Sequence, residues 1–487
     1  MLDRSSGLTD VQVKLVNYIS TRGEAPPVSF LKTLLAGLAP DGGLYLPQAY
    51  PHIQHETIAA FAGRPYADVA QSIISPFVTD EIAPSILSEM IASAYKDFRH
   101  SAIAPLVQLD ANLFVLELFH GPTLAFKDLA MQLLARFMDH ILKSRGERAT
   151  IIGATSGDTG AAAIEAFAAL SQVDVFILYP HGRISDVQRR QMTTVDAPNI
   201  HAIALEGSFD DAQSCVKALF NHRSLREEFN FCGVNSINFA RILFQAVYYF
   251  TGATALGAPY RKVSFVVPTG NFGDIFAGFL AKRMGLPIDR LVIATNANDI
   301  LTRTLESGEY RVTEVTPTQS PSMDIQLSSN FERLLFEAHD RNASTLRQLM
   351  AELSQSRSFS IAPEPLSAIR SEFDARRASE AETTQEIAHN FAATGYLADP
   401  HTAVGLSAAR KIMPEIRTGP IVVLGTAHPG KFPEAILRAT GVEPSLPEPL
   451  SDLAARPERF TVLRNDLREI EHFIRTRSIH AAKRVAS

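Results

Sequence analysis

The sequence predicts an α/β protein built on mainly parallel sheets, and three observations carry that expectation. The chain has 487 residues, 46% hydrophobic and 20% charged, enough for two or three ordinary cores without disulfide or metal staples. Such a composition is neither that of a disordered chain nor that of a coiled coil. From about residue 99 short β-branched runs alternate with longer helical stretches, the pattern of βαβ units. Several of these runs end in glycine loops that open a helix, where open α/β sheets bind ligands.

Taken in order, residues 1–98 read as helical patches broken by turns and form a separate N-terminal module. Within it the glycines of Asp41-Gly42-Gly43 are both expected to supply positive φ ahead of Leu44 and Tyr45. Strands are expected over 113–118, 150–153, 173–179, 200–205, 263–267, 290–295 and 421–424. They divide between an α/β subdomain at 99–260 and a second at 261–445. A helix over 127–144 places Leu129, Leu133, Phe137 and Ile141 on one stripe, so it packs on a sheet. The uncharged run 242–260 is long enough to span a membrane, but Gln245, Thr251, Gly252, Thr254, Gly257 and Pro259 interrupt it. It reads as a buried core helix. Strands become scarce over 316–398, which reads as a helical insertion, with Ser329 and Glu332 at capping-box spacing. The tail, 446–487, is Pro-rich and then helical, and is expected to wrap the outside.

Lys plus Arg number 46 against 52 Asp plus Glu, a net charge of -6, which argues against gripping nucleic acid by bulk charge. Two cysteines, Cys215 and Cys232, make neither a disulfide framework nor a four-ligand zinc site, which fits a reducing compartment. His52 and His55 have metal-ligand spacing, but no second pair completes a site. The opening MLDRSSGLTD carries acids and no apolar core, so no signal peptide is expected and a cytoplasmic location is favoured.

Five stretches can carry chemistry. His120-Gly121-Pro122-Thr123-Leu124-Ala125-Phe126-Lys127-Asp128 follows a strand and sets one lysine at a helix start, flanked by Leu124 and Phe126. Partial burial and the positive helix end both penalise an ammonium, which favours a nucleophilic amine. The alternative is a solvated lysine paired with Asp128. Next, 153–160 (GATSGDTG) is a small-residue loop whose amides and following helix can meet an anion, though its glycines match neither a P-loop nor a dinucleotide fingerprint. A plain tight turn remains open. Then 268–274 (PTGNFGD) can build a backbone cradle sized for one phosphate, with Asp274 read as a cap facing away, and another tight turn is equally open. After the strand at 421–424, Thr426 can hydrogen-bond a ring nitrogen and leave it uncharged, while His428 and Lys431 bind anions or are merely solvated. Finally Asn238 and Arg241 open the uncharged helix, where a buried guanidinium demands a carboxylate or phosphate partner.

Lysine at a helix start, a Ser-Gly loop about thirty positions later, a one-phosphate cradle and a late hydroxyl together describe a pyridoxal phosphate site. The chain resembles the threonine synthases of bacterial and fungal type, within the fold-type II (tryptophan synthase β-like) pyridoxal phosphate enzymes. The likeness runs through NYISTRG at 17–23, DGGLYLP at 41–47, HGPTLAFKD at 120–128, GATSGDTGAA at 153–162, YPHGRIS at 179–185 and VNSINFAR at 234–241. It continues through PTGNFGD at 268–274, PSMDIQLSSNFERLLF at 321–336 and GTAHPGKF at 425–432. The resemblance implies two parallel-sheet subdomains with the cofactor between them. Lys127 would carry it as a Schiff base, Gly270, Asn271, Phe272 and Gly273 would hold its phosphate, and Thr426 would face the pyridine nitrogen. The loop Thr155, Ser156, Gly157, Asp158 and Thr159 would receive the substrate carboxylate and the phenolic oxygen. Asn238, Arg241 and Lys431 would take the substrate phosphate.

The implied reaction turns O-phospho-L-homoserine and water into L-threonine and phosphate. The enzyme would have no nucleic-acid or membrane partner and act as a monomer or small homo-oligomer. A threonine dehydratase or cysteine synthase on the same fold is the nearest alternative, set apart by the N-terminal module and the VNSINFAR group. A nicotinamide dehydrogenase of the short-chain kind would need a Tyr followed four positions later by Lys, and none of the 11 tyrosines has that spacing.

Overall fold

The computed structural model describes residues 16–78, 80–416 and 419–478; the opening ten residues, on which the signal-peptide expectation rests, lie outside them. Its strands are β1 (Tyr18–Ser20), β2 (Tyr45–Pro47), β3 (Leu106–Gln108), β4 (Leu113–Glu117), β5 (Ala149–Ala154), β6 (Val173–Pro180), β7 (Ile200–Glu206) and β8 (Phe231–Cys232). There follow β9 (Val263–Pro268), β10 (Ile288–Thr295), β11 (Glu309–Arg311), β12 (Ser358–Ser360), β13 (Phe373–Arg377), β14 (Ile421–Gly425) and β15 (Thr461–Arg464). The seven strands expected from β-branched runs all form, displaced by no more than two residues at either end.

Two sheets carry the architecture. One has the order β15-β7-β6-β5-β8 and is wholly parallel. The other has the order β13-β10-β9-β14-β4-β3 and is parallel except for β3, which runs antiparallel to β4. Every residue of β6, β9 and β14 is buried, as expected of strands covered on both faces. The helix Phe239–Ala255 is buried along nearly its whole length and packs against the helices Lys127–Arg145, Gly273–Arg283 and Tyr66–Val78. It is therefore a core helix, and none among the described residues is long and apolar enough to cross a membrane.

Several expectations change. Residues 113–117, placed with the first subdomain, pair with β14 in the second sheet. Leu113, Val115 and Leu116 are fully buried there, so the chain lays down this strand before crossing to the first sheet. The 316–398 stretch is not only helical, because β13 pairs with β10 as an edge strand; its charged Asp374, Arg376 and Arg377 hide the alternation of buried Phe373 and Ala375. The tail likewise donates β15 to the edge of β7 and buries Leu463, Ile470 and Ile474 against that sheet. No capping box starts the helix Phe331–Ala338: its cap residue Asn330 makes no side-chain cap bond. Glu332 instead accepts from Thr21 Oγ1 at 2.6 Å and pairs with Arg22, a tie to the N-terminal module that wins over local capping. In the early turn only Gly42 has positive φ, at 77°. Gly43 answers a different need, since a Cβ there would lie 2.1 Å from Ser20 Oγ. The helix Lys127–Arg145 shows its amphipathic stripe, yet its first half is buried on every side.

Ile470 is fully buried under the tail helix Leu467–Arg477. Replacing it with Ala should cost about 2–5 kcal/mol, read as a lowered denaturant midpoint at unchanged slope.

Candidate active site

The lysine loop follows β4 and turns through Leu124, which has φ 63°. Asp128 does not pair with its neighbour Lys127; it accepts from Thr123 N at 2.8 Å and Thr123 Oγ1 at 2.7 Å. Gly121 lets it do so, because a Cβ at 121 would sit 2.6 Å from Asp128 Oδ2. Lys127 is buried, with Nζ 3.5 Å from Asp158 Oδ2. Burial lowers its pKa from the ordinary lysine value, and the attraction of Asp158 does not cancel that effect, helped as it is by the cations Lys431 and Arg241. The solvated-lysine alternative is excluded.

Asp158 opens the helix Asp158–Phe167 after Gly157, whose φ of 140° and closeness to Gln188 leave no room for a side chain. Thr155 shapes this loop by accepting from Gly157 N at 3.0 Å and Gly160 N at 2.9 Å. The Asp158 carboxylate is the local hub. It meets Lys431 Nζ at 2.9 Å, Gln188 Nε2 at 2.9 Å, Ser322 Oγ at 3.2 Å and, more distantly, Lys127. Burial alone would raise its pKa, but Lys431, Lys127 and His401 hold it far below the usual carboxylate range. Ser156 and Thr159 are half-buried, and their hydroxyls make no hydrogen bond among the described residues.

The second glycine loop leaves β9 and enters the helix Gly273–Arg283 through Phe272, left-handed at φ 64°, with no side-chain cap. A Cβ on Gly270 would lie 2.8 Å from Ser322 O. The first-turn amides are thus left for a ligand. Asp274 faces away but is no cap: its Oδ1 accepts from the Tyr248 and Tyr249 hydroxyls, and burial pushes its carboxyl up to about 6.

Thr426 ends β14. Its hydroxyl is buried without a partner among the described residues, a cost that a bound acceptor or donor would remove. Arg241 is buried too, with Nη1 on Val234 O at 3.1 Å and Nε unpartnered. No carboxylate forms an ion pair with it among the described residues, which disposes of the structural-pair alternative, and burial pulls its pKa down to about 10. Lys431, wholly buried, is held by Asp158 and by Thr123 O at 2.6 Å. His428 is structural: its ring nitrogen accepts from Gly430 N, and burial lowers it to about 4. Asn238, expected among the phosphate-binding residues, is buried at the start of the helix Phe239–Ala255, close to Arg241 in sequence. Its Oδ1 caps the helix through Ala240 N and its amide donates one N–H to Leu34 O at 2.8 Å, which fixes the side chain and leaves one donor uncommitted.

Sequence reasoning missed Gln188, Ser322 and the buried Asp399–His401 pair. His401 Nδ1 meets Asp399 Oδ1 at 2.8 Å, and its Nε2 accepts from Ser322 N. Only the fold brings residues 164 positions apart, Ser322 and Asp158, into contact.

Comparison with known proteins bears on the same regions. Residues 17–95 match the family model for the threonine synthase N terminus, 99–427 that for pyridoxal-phosphate dependent enzymes and 402–474 that for the threonine synthase C-terminal region. The chain is 51% identical to threonine synthase of Pseudomonas aeruginosa over 460 residues, 94% of this chain and 98% of that one. It superposes on the crystal structure of pyridoxal phosphate-bound threonine synthase from Brucella melitensis with a TM-score of 0.93 and 59% identity, covering 95% of this chain and 100% of that one. The yeast threonine synthase structure gives a TM-score of 0.90 at 37% identity, covering 96% and 99%.

Two predictions follow from the electrostatics. Arg241→Met removes a buried guanidinium without a carboxylate partner among the described residues and should stabilise the ligand-free protein by about 1–4 kcal/mol. Inorganic phosphate is expected to raise the melting temperature of the parent and to leave that of the variant unchanged. Asp274 is raised from near 4 to about 6 on folding, so the folded state is the tighter proton binder. Its contribution to stability therefore falls as pH climbs from about 4 to about 6. Asp274→Asn should flatten that part of the stability curve, measured by denaturant unfolding across the range.

Proposed function

Because the chain belongs to the threonine synthase family of pyridoxal phosphate-dependent enzymes, we infer that it converts O-phospho-L-homoserine and water into L-threonine and phosphate. What carries the reading at the level of residues is the buried Lys127 amine in the field of an unpaired buried Arg241. A simple hydroxyamino-acid dehydratase has no leaving phosphate and no use for that guanidinium.

The residues fit the cofactor. Lys127 offers the amine that its aldehyde takes, the amides of Gly270, Asn271, Phe272 and Gly273 suit its phosphate, and the orphaned Thr426 hydroxyl suits the pyridine nitrogen. When bound, the cofactor supplies an electron sink for the pair released at the substrate α carbon. A neutral hydroxyl rather than a carboxylate at Thr426 leaves the ring nitrogen uncharged. Lys127 Nζ, its basicity set by burial, takes the α proton. Arg241, with Lys431, meets the charge that develops as the γ-phosphate leaves, in a dry site where such a donor counts most. The carboxylate of Asp158 is committed to Lys431, so in the 155–159 loop the uncommitted hydroxyls of Ser156 and Thr159 and the first-turn amides take the substrate carboxylate. A β proton must also leave as the γ-phosphate departs. The γ carbon then takes a proton to become the methyl group, and water adds its hydroxyl at the β carbon with its other proton going to the released phosphate. Lys127 Nζ returns the α proton. We place the enzyme in the cytoplasm as a monomer or small homo-oligomer without nucleic-acid or membrane partners; its net charge of -6 and two free, buried cysteines agree with that.

Purified protein should release phosphate from O-phospho-L-homoserine with matching threonine, and borohydride should fix the cofactor on Lys127. Lys127→Ala should lower turnover by at least about a thousandfold with an unchanged circular dichroism spectrum. Keto acid formed from threonine without phosphate release would assign the chain to the dehydratases instead.

A further inference from the structure

The motif 321–336 enters neither binding nor proton transfer above, yet its second half is deeply buried and polar. Ser328 is 4% exposed, and Asn330 and Arg333 are 0% exposed. Their hydrogen bonds go to the backs of the glycine loops. Ser328 Oγ donates to Gly270 O at 2.7 Å. Asn271 O accepts from Asn330 N at 3.1 Å and from Asn330 Nδ2 at 2.9 Å. In a planar trans peptide the carbonyl and the next N–H point in opposite directions. Holding these two carbonyls from one side therefore turns the N–H groups of Asn271 and Phe272 to the other. Neither amide donates to another group of the chain among the described residues.

Arg333 anchors this arrangement. Its Nη1 donates to Asn330 Oδ1, its Nη2 to Ile237 O at 2.6 Å and its Nε to Tyr45 O at 3.0 Å. One guanidinium thus joins the cradle support to the loop before Arg241 and to β2 of the N-terminal module. Asn330 Nδ2 also reaches Ser236 O at 3.2 Å. The adjacent Glu332 reaches Thr21 and Arg22 of the same module.

We propose that Ser328, Asn330 and Arg333 are positioning residues that pre-orient the two free amides of the phosphate cradle and couple that cradle to the N-terminal module. This rests on the reading of 270–273 as the seat of the cofactor phosphate. The network acts through phosphate, so it should discriminate pyridoxal phosphate from pyridoxal.

The test titrates the full-length protein with each ligand in parallel, following absorbance, with thermal unfolding as the check on folding. Asn330→Ala should weaken pyridoxal phosphate by about tenfold or more and pyridoxal by no more than about twofold. Ser328→Ala, which deletes one hydroxyl, should shift the same ratio by at least about threefold. Arg333→Lys, which cannot span three carbonyls, should shift it in the same direction. Equal loss of both ligands, or no loss of either, in folded Ser328→Ala would overturn the proposal even if Asn330→Ala does not fold. Gly270→Val separates the two levels: if it leaves the ratio unchanged, the cradle reading itself fails. If it collapses the ratio while Ser328→Ala and Asn330→Ala do not, only the positioning network fails.

Discussion

The Lys127 amine lies 3.5 Å from a carboxylate that Lys431 holds at 2.9 Å, and much of the architecture preserves that imbalance. A close ion pair would keep Lys127 protonated, and a missing carboxylate would leave Lys431 buried without a counter-charge. Asp158 satisfies the second lysine and reaches the first only weakly. Gln188 and Ser322 hold its two oxygens in that orientation. The carboxylate comes from the helix following β5, whereas Ser322 precedes β13 and Lys431 follows β14. The balance at Lys127 therefore exists only where segments that leave the two sheets meet.

The same economy appears at the cradle. Three buried groups, the Thr426 hydroxyl, the Arg241 Nε and the start of the helix Gly273–Arg283, which has no side-chain cap, lack partners among the described residues. Each is costly in the free protein, and a ligand group of the matching kind would remove that cost. The unfavourable energy is offset by the large apolar core around them, in which the helix Phe239–Ala255 is packed on all sides.

Much of this was legible in the sequence because its signals are local. The seven β-branched runs become strands since each is a continuous buried stretch, and a lysine opening a helix right after a glycine-containing loop needs no long-range contact to be noticed. The miscast pieces are those decided at a distance. The charged run FDARR becomes an edge strand because β10 offers it a partner. Glu332 abandons a local cap for Thr21 and Arg22, more than 300 positions away. Asn238 has its orientation set by the carbonyl of Leu34, 204 positions away, as well as by the first turn of its own helix. Hydrophobic periodicity does not report which of several polar partners a buried amide will find.

The central place of β14 has a bearing on how the molecule comes into being. In its sheet this strand separates β9 from β4, although it is made 304 positions after β4 ends, from Glu117 to Ile421. At a ribosomal pace of roughly 5–20 residues per second the nascent chain waits about 15–60 s with that sheet in two pieces. Thr426 emerges in the same late burst. A nascent chain stopped short of β14 therefore lacks both the central strand of that sheet and the buried Thr426 hydroxyl beside it.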